Sequence, residues 1–113
     1  MKLDRMERLE NVHPLGNVVK LSEQAINHAV ERHGLYVRFG LIENVIVNPD
    51  AIYRSSHYTD RWIYVRYDAI QTHHKTLLVE VVADISKQPY YVITAYVTDY
   101  LHGVEEEPIY VKS

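Results

Sequence analysis

The stretch YYVITAYVT, residues 90–98, alternates side chains with the period of a β-strand and is built almost wholly from β-branched and aromatic residues. Tyr91, Ile93, Ala95 and Val97 would point to one face of a sheet, and Tyr90, Val92, Thr94, Tyr96 and Thr98 to the other. Working back along the chain, TLLVEVVAD (76–84), RWIYVRY (61–67) and AIYRSS (51–56) carry the same signature. The gaps HYTD, DAIQTHHK and ISKQP are short and polar, as in a meander of antiparallel hairpins. In RWIYVRY, Ile63, Val65 and Tyr67 alternate against Trp62, Tyr64 and Arg66. One face of such a sheet is dry, and the other carries hydroxyls, aromatic rings and an arginine.

Upstream of residue 50 the period changes. Ser22 stands at an N-cap position, Glu23 follows in the first turn, and Ala25, Ile26, Ala29, Val30 and His33 share one face of a helix from about Glu23 to His33, stopped by Gly34. A second helix, roughly Tyr36 to Val47, has Leu41, Ile42, Val45 and Ile46 as its apolar stripe and ends at Asn48-Pro49. VVKL reads as a short strand or extended lead-in after the turn HPLGN, and the first dozen residues as a loose helical arm. Helices followed by strands make an α+β order, so the expected fold is a single domain over 1–113 with N-terminal helices packed on a four- to five-stranded antiparallel β-sheet. Residues 1–17 form the arm and 18–98 the core.

Composition narrows the chemistry. With 113 residues the chain can bury a core without staples, and with no cysteine it has no thiol nucleophile, no cysteine-ligated zinc and no disulfide, which suits a cytoplasmic setting. MKLDRMERLENVHPLGN is charged rather than apolar, so no signal peptide or membrane span is expected there, nor does any later run reach spanning length. The net charge is −3 and unevenly placed: residues 1–75 hold ten Lys and Arg against nine Asp and Glu, and 76–113 hold two against six, including Glu105, Glu106 and Glu107. An anionic partner must therefore be met locally, most plausibly along Arg54 to Lys75, where Arg54, Arg61, Arg66 and Lys75 are joined by His57, His73 and His74.

On the first predicted helix His28 and Arg32 lie four residues apart, stacked at the margin of the apolar stripe. An imidazole can take and return a proton near neutral pH, and a guanidinium can hold a phosphate with two hydrogen bonds, a pairing that suits phosphodiester chemistry; an ordinary solvated helix edge is the competing reading. His33 falls inside the stripe, where a core or capping role competes with catalysis. Thr94 and Tyr96 project from one strand face and offer two hydroxyls to a phosphate, although both are also simply good strand residues. Arg54, Arg66 and Lys75 can supply positive charge or merely dress a solvated face, and Tyr53, Trp62 and Tyr64 can stack on bases or fill a core. The histidine pairs diverge, and no HExxH motif, carboxylate cluster, glycine-rich phosphate loop or serine-hydrolase elbow is present, so neither metal nor cofactor is expected.

The order of LSEQAINHAVERHG, IENVIVNPDAI and the final YYVITAYV resembles the barnase, EndoU, colicin and RelE-like nuclease superfamily over about residues 18–98, above all its phage-associated and polymorphic-toxin branches. The resemblance implies a metal-independent endoribonuclease, toxin-like or phage-related, that cleaves RNA by 2′-hydroxyl attack. It places His28, Arg32 and His33 at the active site with Thr94 and Tyr96, and on this reading His28 is the general acid/base, Arg32 the phosphate clamp and Thr94 and Tyr96 the transition-state hydroxyls, while the charge and rings of Arg54, Tyr64, Arg66 and Lys75, with His33, are expected to contact RNA. A cognate inhibitor protein is the partner such an activity implies. The acidic balance and the ten tyrosines support a second expectation, a non-catalytic module of the same fold that binds a protein or a small anion and can form a homodimer through an edge strand.

Overall fold

The structure is a computed structural model and describes residues 10–12, 14–16, 18–21, 27 and 39–113. Its elements in chain order are β1 (Glu10–Val12), β2 (Val18–Lys20), α1 (Phe39–Val47), β3 (Ala51–Ser55), β4 (Arg61–Gln71), β5 (Thr76–Asp84), β6 (Tyr90–Thr98) and β7 (Val104–Val111). All seven strands join one sheet in the order β1-β2-β6-β5-β4-β3-β7, with β2 parallel to β6 and every other pair antiparallel.

This corrects the expected architecture of N-terminal helices on a four- to five-stranded antiparallel sheet: the described residues are mostly β, the sheet is mixed, and α1 is the single helix element among them. The difference arises at the sheet edges. A four-stranded meander leaves the outer backbone groups of β3 and β6 unpaired, and β7 takes up the first while β2, with β1 behind it, takes up the second. β2 falls in the expected extended VVKL, whereas Glu10–Val12, expected within a loose helical arm, is a strand because it pairs with β2. Of the first predicted helix, Glu23 to His33, only Asn27 is among the described residues, where it is helical and exposed; the rest lies outside them.

α1 forms as its stripe predicts: Ile42, Val45 and Ile46 are fully buried while Asn44 and Val47 face solvent. Asn48 donates its N–H to the Asn44 carbonyl at 2.8 Å, and Pro49, with no N–H to give, ends the helix. The helix packs on β4 and β5, where its stripe meets Tyr64, Val79, Val81 and Ala83. Arg66 fastens its C-terminal end by donating to Asn44 Oδ1 at 3.0 Å and to the Asn48 carbonyl at 3.1 Å, a cation at the negative end of the helix dipole.

The two faces of β6 are not those of strict alternation. Val82 pairs with Thr94 but Ala83 pairs with Val92, so Ile93 is an extra residue, and the phase of side chains reverses there. Tyr90, Val92, Ala95 and Val97 consequently share the α1 side, whereas Ile93 and Tyr96 pack on the opposite side with Ile63, Val65, Leu78 and Val82. A second irregularity lies in β4 between Arg66 and Ile70, where Asp68 adopts a φ of 54°. Strand pairing resumes beyond it, so β4 extends through residues expected to form a loop.

β6 and β7 are separated in the sheet by β5, β4 and β3, and the chain between them must cross all three. Residues 99–103 make this crossover on the face opposite α1, where Leu101 and Val104 cover the second apolar cluster. Gly103, at φ 69°, turns the chain into β7, and its carbonyl accepts a hydrogen bond from the Ser56 N–H at 2.9 Å.

Candidate functional site

The crossover and the β3–β4 turn stand over the sheet as two walls, and the open cleft between them has a volume of about 130 Å³. Its floor is made by Ile63, Glu80, Val82 and Tyr96, one wall by His57, Tyr58 and Arg61, and the other by His102 and Gly103. The turn is held by Ser55, whose buried Oγ accepts the main-chain N–H groups of His57 at 3.1 Å and Tyr58 at 3.2 Å. The Arg61 guanidinium lies over the Tyr58 ring, 3.9 Å from its centroid.

Glu80 is the unusual residue of the site. A carboxylate in the middle of an apolar strand is only 1% exposed, and its Oε2 accepts the main-chain N–H of His102 at 3.1 Å and sits 3.1 Å from His102 Nδ1. Burial pushes its carboxyl above the usual range, and the hydrogen bonds and charge of His102 pull it partly back. The imidazole itself is 43% exposed, with its ring centroid 5.6 Å from that of Tyr96 in an edge-to-face contact and 5.6 Å from that of Tyr100 in a tilted one. A carboxylate on Nδ1 fixes the orientation of the ring and directs Nε2 chemistry outward, the arrangement by which a histidine is made a proton carrier. With the guanidinium of Arg61 across the cleft, the site can move a proton and neutralise an anion.

The sequence-derived residues scatter. Thr94 and Tyr96 do share the cleft face; Tyr96 lines the cleft, and Thr94, 6% exposed, has no hydrogen-bond partner for Oγ1 among the described residues. His28, Arg32 and His33 lie outside the described residues. The remaining four do not line the cleft. Tyr64 is fully buried on the α1 side, where burial raises its phenol far above the ordinary range, and its ring has no face left for a base. Arg66, on that same side, is engaged with α1 and stands 3.8 Å from Asp50. Arg54 pairs with Trp62 across β3 and β4 and so also points away from the cleft, and Lys75, in the β4–β5 hairpin, is bound to Asp99 at 2.9 Å. The expectation that Tyr64 and Arg66 share a polar face with Thr94 and Tyr96 fails because the bulge at Ile93 reverses β6 relative to β4.

Sequence reasoning passed over Glu80 and His102. The lone carboxylate in TLLVEVVAD was the available signal for the first, since a charge in an apolar run is buried only with a partner. Nothing local marks His102, which reaches Glu80 only because the crossover passes over β5. Among the described residues no group of three His, Asp or Glu side chains is placed to hold a metal ion, and no helix is long and apolar enough to cross a membrane. No family model, curated protein or solved structure matches the chain.

Proposed function

We propose that the chain is a metal-independent endoribonuclease that cleaves RNA by 2′-hydroxyl attack in the cleft. The observation that carries this reading is the His102 imidazole held at Nδ1 by buried Glu80, 3.1 Å away, in an open cleft shared with Arg61 and Tyr96. His102 takes the proton of the 2′-hydroxyl through Nε2, and the attacking oxygen forms a 2′,3′-cyclic phosphate as the 5′-oxygen leaves. Arg61 and the Tyr96 hydroxyl stabilise the charge on the pentavalent phosphate. A second imidazole protonates the leaving oxygen: His57 stands on the opposite wall, and His28 is the candidate from the resemblance. The activity is placed in the cytoplasm, with a cognate inhibitor protein restraining it there.

The test is incubation of purified protein with total RNA and with tRNA in excess EDTA, beside His102→Ala, Glu80→Gln and His28→Ala. Wild-type cleavage that leaves cyclic phosphate ends, reduced by about 10²–10⁴ in His102→Ala, is expected for loss of a general base. Cleavage unaffected by His102→Ala would remove this residue from the mechanism, and a concurrent loss in His28→Ala would move the chemistry to the N-terminal segment. A folded wild type inert on both RNAs would return the cleft to the binding-module reading.

A further inference from the structure

We propose that Tyr58 and Arg61 form a base-stacking subsite that confines the cleft to single-stranded RNA; this inference rests on the ribonuclease reading and names its substrate class. Tyr58 is 54% exposed, an aromatic ring left in solvent beside a cleft rather than packed into the core. It is nevertheless held: Ser55 accepts its main-chain N–H at 3.2 Å and the Arg61 guanidinium lies 3.9 Å from its ring centroid. Arg61 has no carboxylate within ion-pair distance among the described residues, although Asp84 stands opposite it in the β4–β5 register. Its hydrogen-bonding edge is therefore free for a phosphate while its plane rests on the tyrosine.

The crossover carries a second exposed ring, outside the lining of the cleft. Tyr100 is 65% exposed and lies against His102 at 5.6 Å. Tyr58 and Arg61 on one wall of the cleft, with His102 on the other, suit a base and its neighbouring phosphate in an unpaired strand. A duplex offers Tyr58 no free base face, because its bases are stacked on each other.

Binding can be read without cleavage by using a labelled all-deoxy strand of roughly eight nucleotides, within the site size of single-strand binding folds, since it lacks the attacking 2′-hydroxyl. Anisotropy titrations with this strand and with its duplex are made on wild type, Tyr58→Ala, Tyr58→Phe and Arg61→Gln. Single-strand binding at least about ten-fold tighter than duplex, a loss of roughly 5- to 100-fold in Tyr58→Ala, and retention within about two-fold in Tyr58→Phe are expected for one stacked base. Arg61→Gln should weaken binding and flatten its salt dependence. Wild-type affinity in Tyr58→Ala, or equal affinity for duplex and single strand, overturns the subsite. Far-UV circular dichroism on each variant confirms folding, and Tyr58→Phe separates stacking from loss of the turn. These affinities in a protein that never cleaves RNA would support the subsite while refuting the ribonuclease, and cleavage with no Tyr58 effect would do the reverse.

Discussion

Replacing Glu80 separates its two roles, as a filler of buried space with hydrogen-bond acceptors and as a buried charge. In Glu80→Ala the His102 main-chain N–H loses its acceptor, a cost of about 1–3 kcal/mol, and the one buried methylene removed, Cγ, vacates space worth about 0.8 kcal/mol. The ring contact adds little, because water reaches a side chain that is 43% exposed. Relief of the charge's desolvation offsets part of the sum, leaving about 2–3 kcal/mol. Glu80→Gln keeps the shape and an acceptor oxygen while discarding the charge, so it should fall within about 1 kcal/mol of wild type. The assay is urea unfolding followed by the fluorescence of Trp62, the only tryptophan, which packs edge-on against Tyr90 at 5.6 Å.

The same titrations run against pH carry a sign. Because the folded carboxyl is raised, between the ordinary carboxylate range and its folded value the native state keeps a proton that the unfolded chain has released. Wild-type stability contributed by Glu80 is then present below the unfolded value and falls as pH rises through that window, and Glu80→Gln lacks this slope. Asp84, hydrogen-bonded to Ser86, and Asp99, bonded to Lys75, are held below their usual range and act oppositely, losing their contribution as pH falls through their lowered values. The wild-type-minus-Gln difference removes both. Equal destabilisation by Ala and Gln, or a difference without pH dependence, would refute the buried Glu80–His102 pair.

Two further substitutions probe the opposite face. Ile46→Ala, at a fully buried position of α1, should cost about 2–5 kcal/mol in the same urea assay, and a loss below about 1 kcal/mol would mean the helix does not dock as described. Arg66→Ala removes two hydrogen bonds to the end of α1 and should cost about 1–2 kcal/mol after allowing for its 29% exposed side chain, with RNA cleavage per folded molecule unchanged. A cleavage defect larger than the folding defect would bring Arg66 back as an RNA contact.

The local period was legible in the residues themselves. The stretches 61–67, 76–84 and 90–98 fall in β4 to β6 and 51–56 in β3 but for Ser56, and Leu41, Ile42, Val45 and Ile46 form the inward stripe of α1 between Phe39 and Val47. Thr94 and Tyr96 share a face because they are two residues apart on one strand, beyond the bulge. Such features depend on neighbours along the chain, where side-chain spacing and backbone preference act directly.

Tertiary structure decided what those elements meet. Alternation within β6 is a local quantity, but the extra residue Ile93 is defined only by its pairing with β5, and that one residue separates Tyr64 and Arg66 from Thr94 and Tyr96. The parallel placement of β2, the capture of the acidic strand β7 by the edge of β3, and the passage of residues 99–103 over the sheet are likewise choices of partner. So is the contact between Glu80 and His102, 22 positions apart and 3.1 Å in space. Sequence by itself determined the central segments, β3 to β6 and α1, because period is written residue by residue. The site came from pairing and crossing, because burying unpaired edges and an unpaired carboxylate is a demand that only the assembled sheet can satisfy.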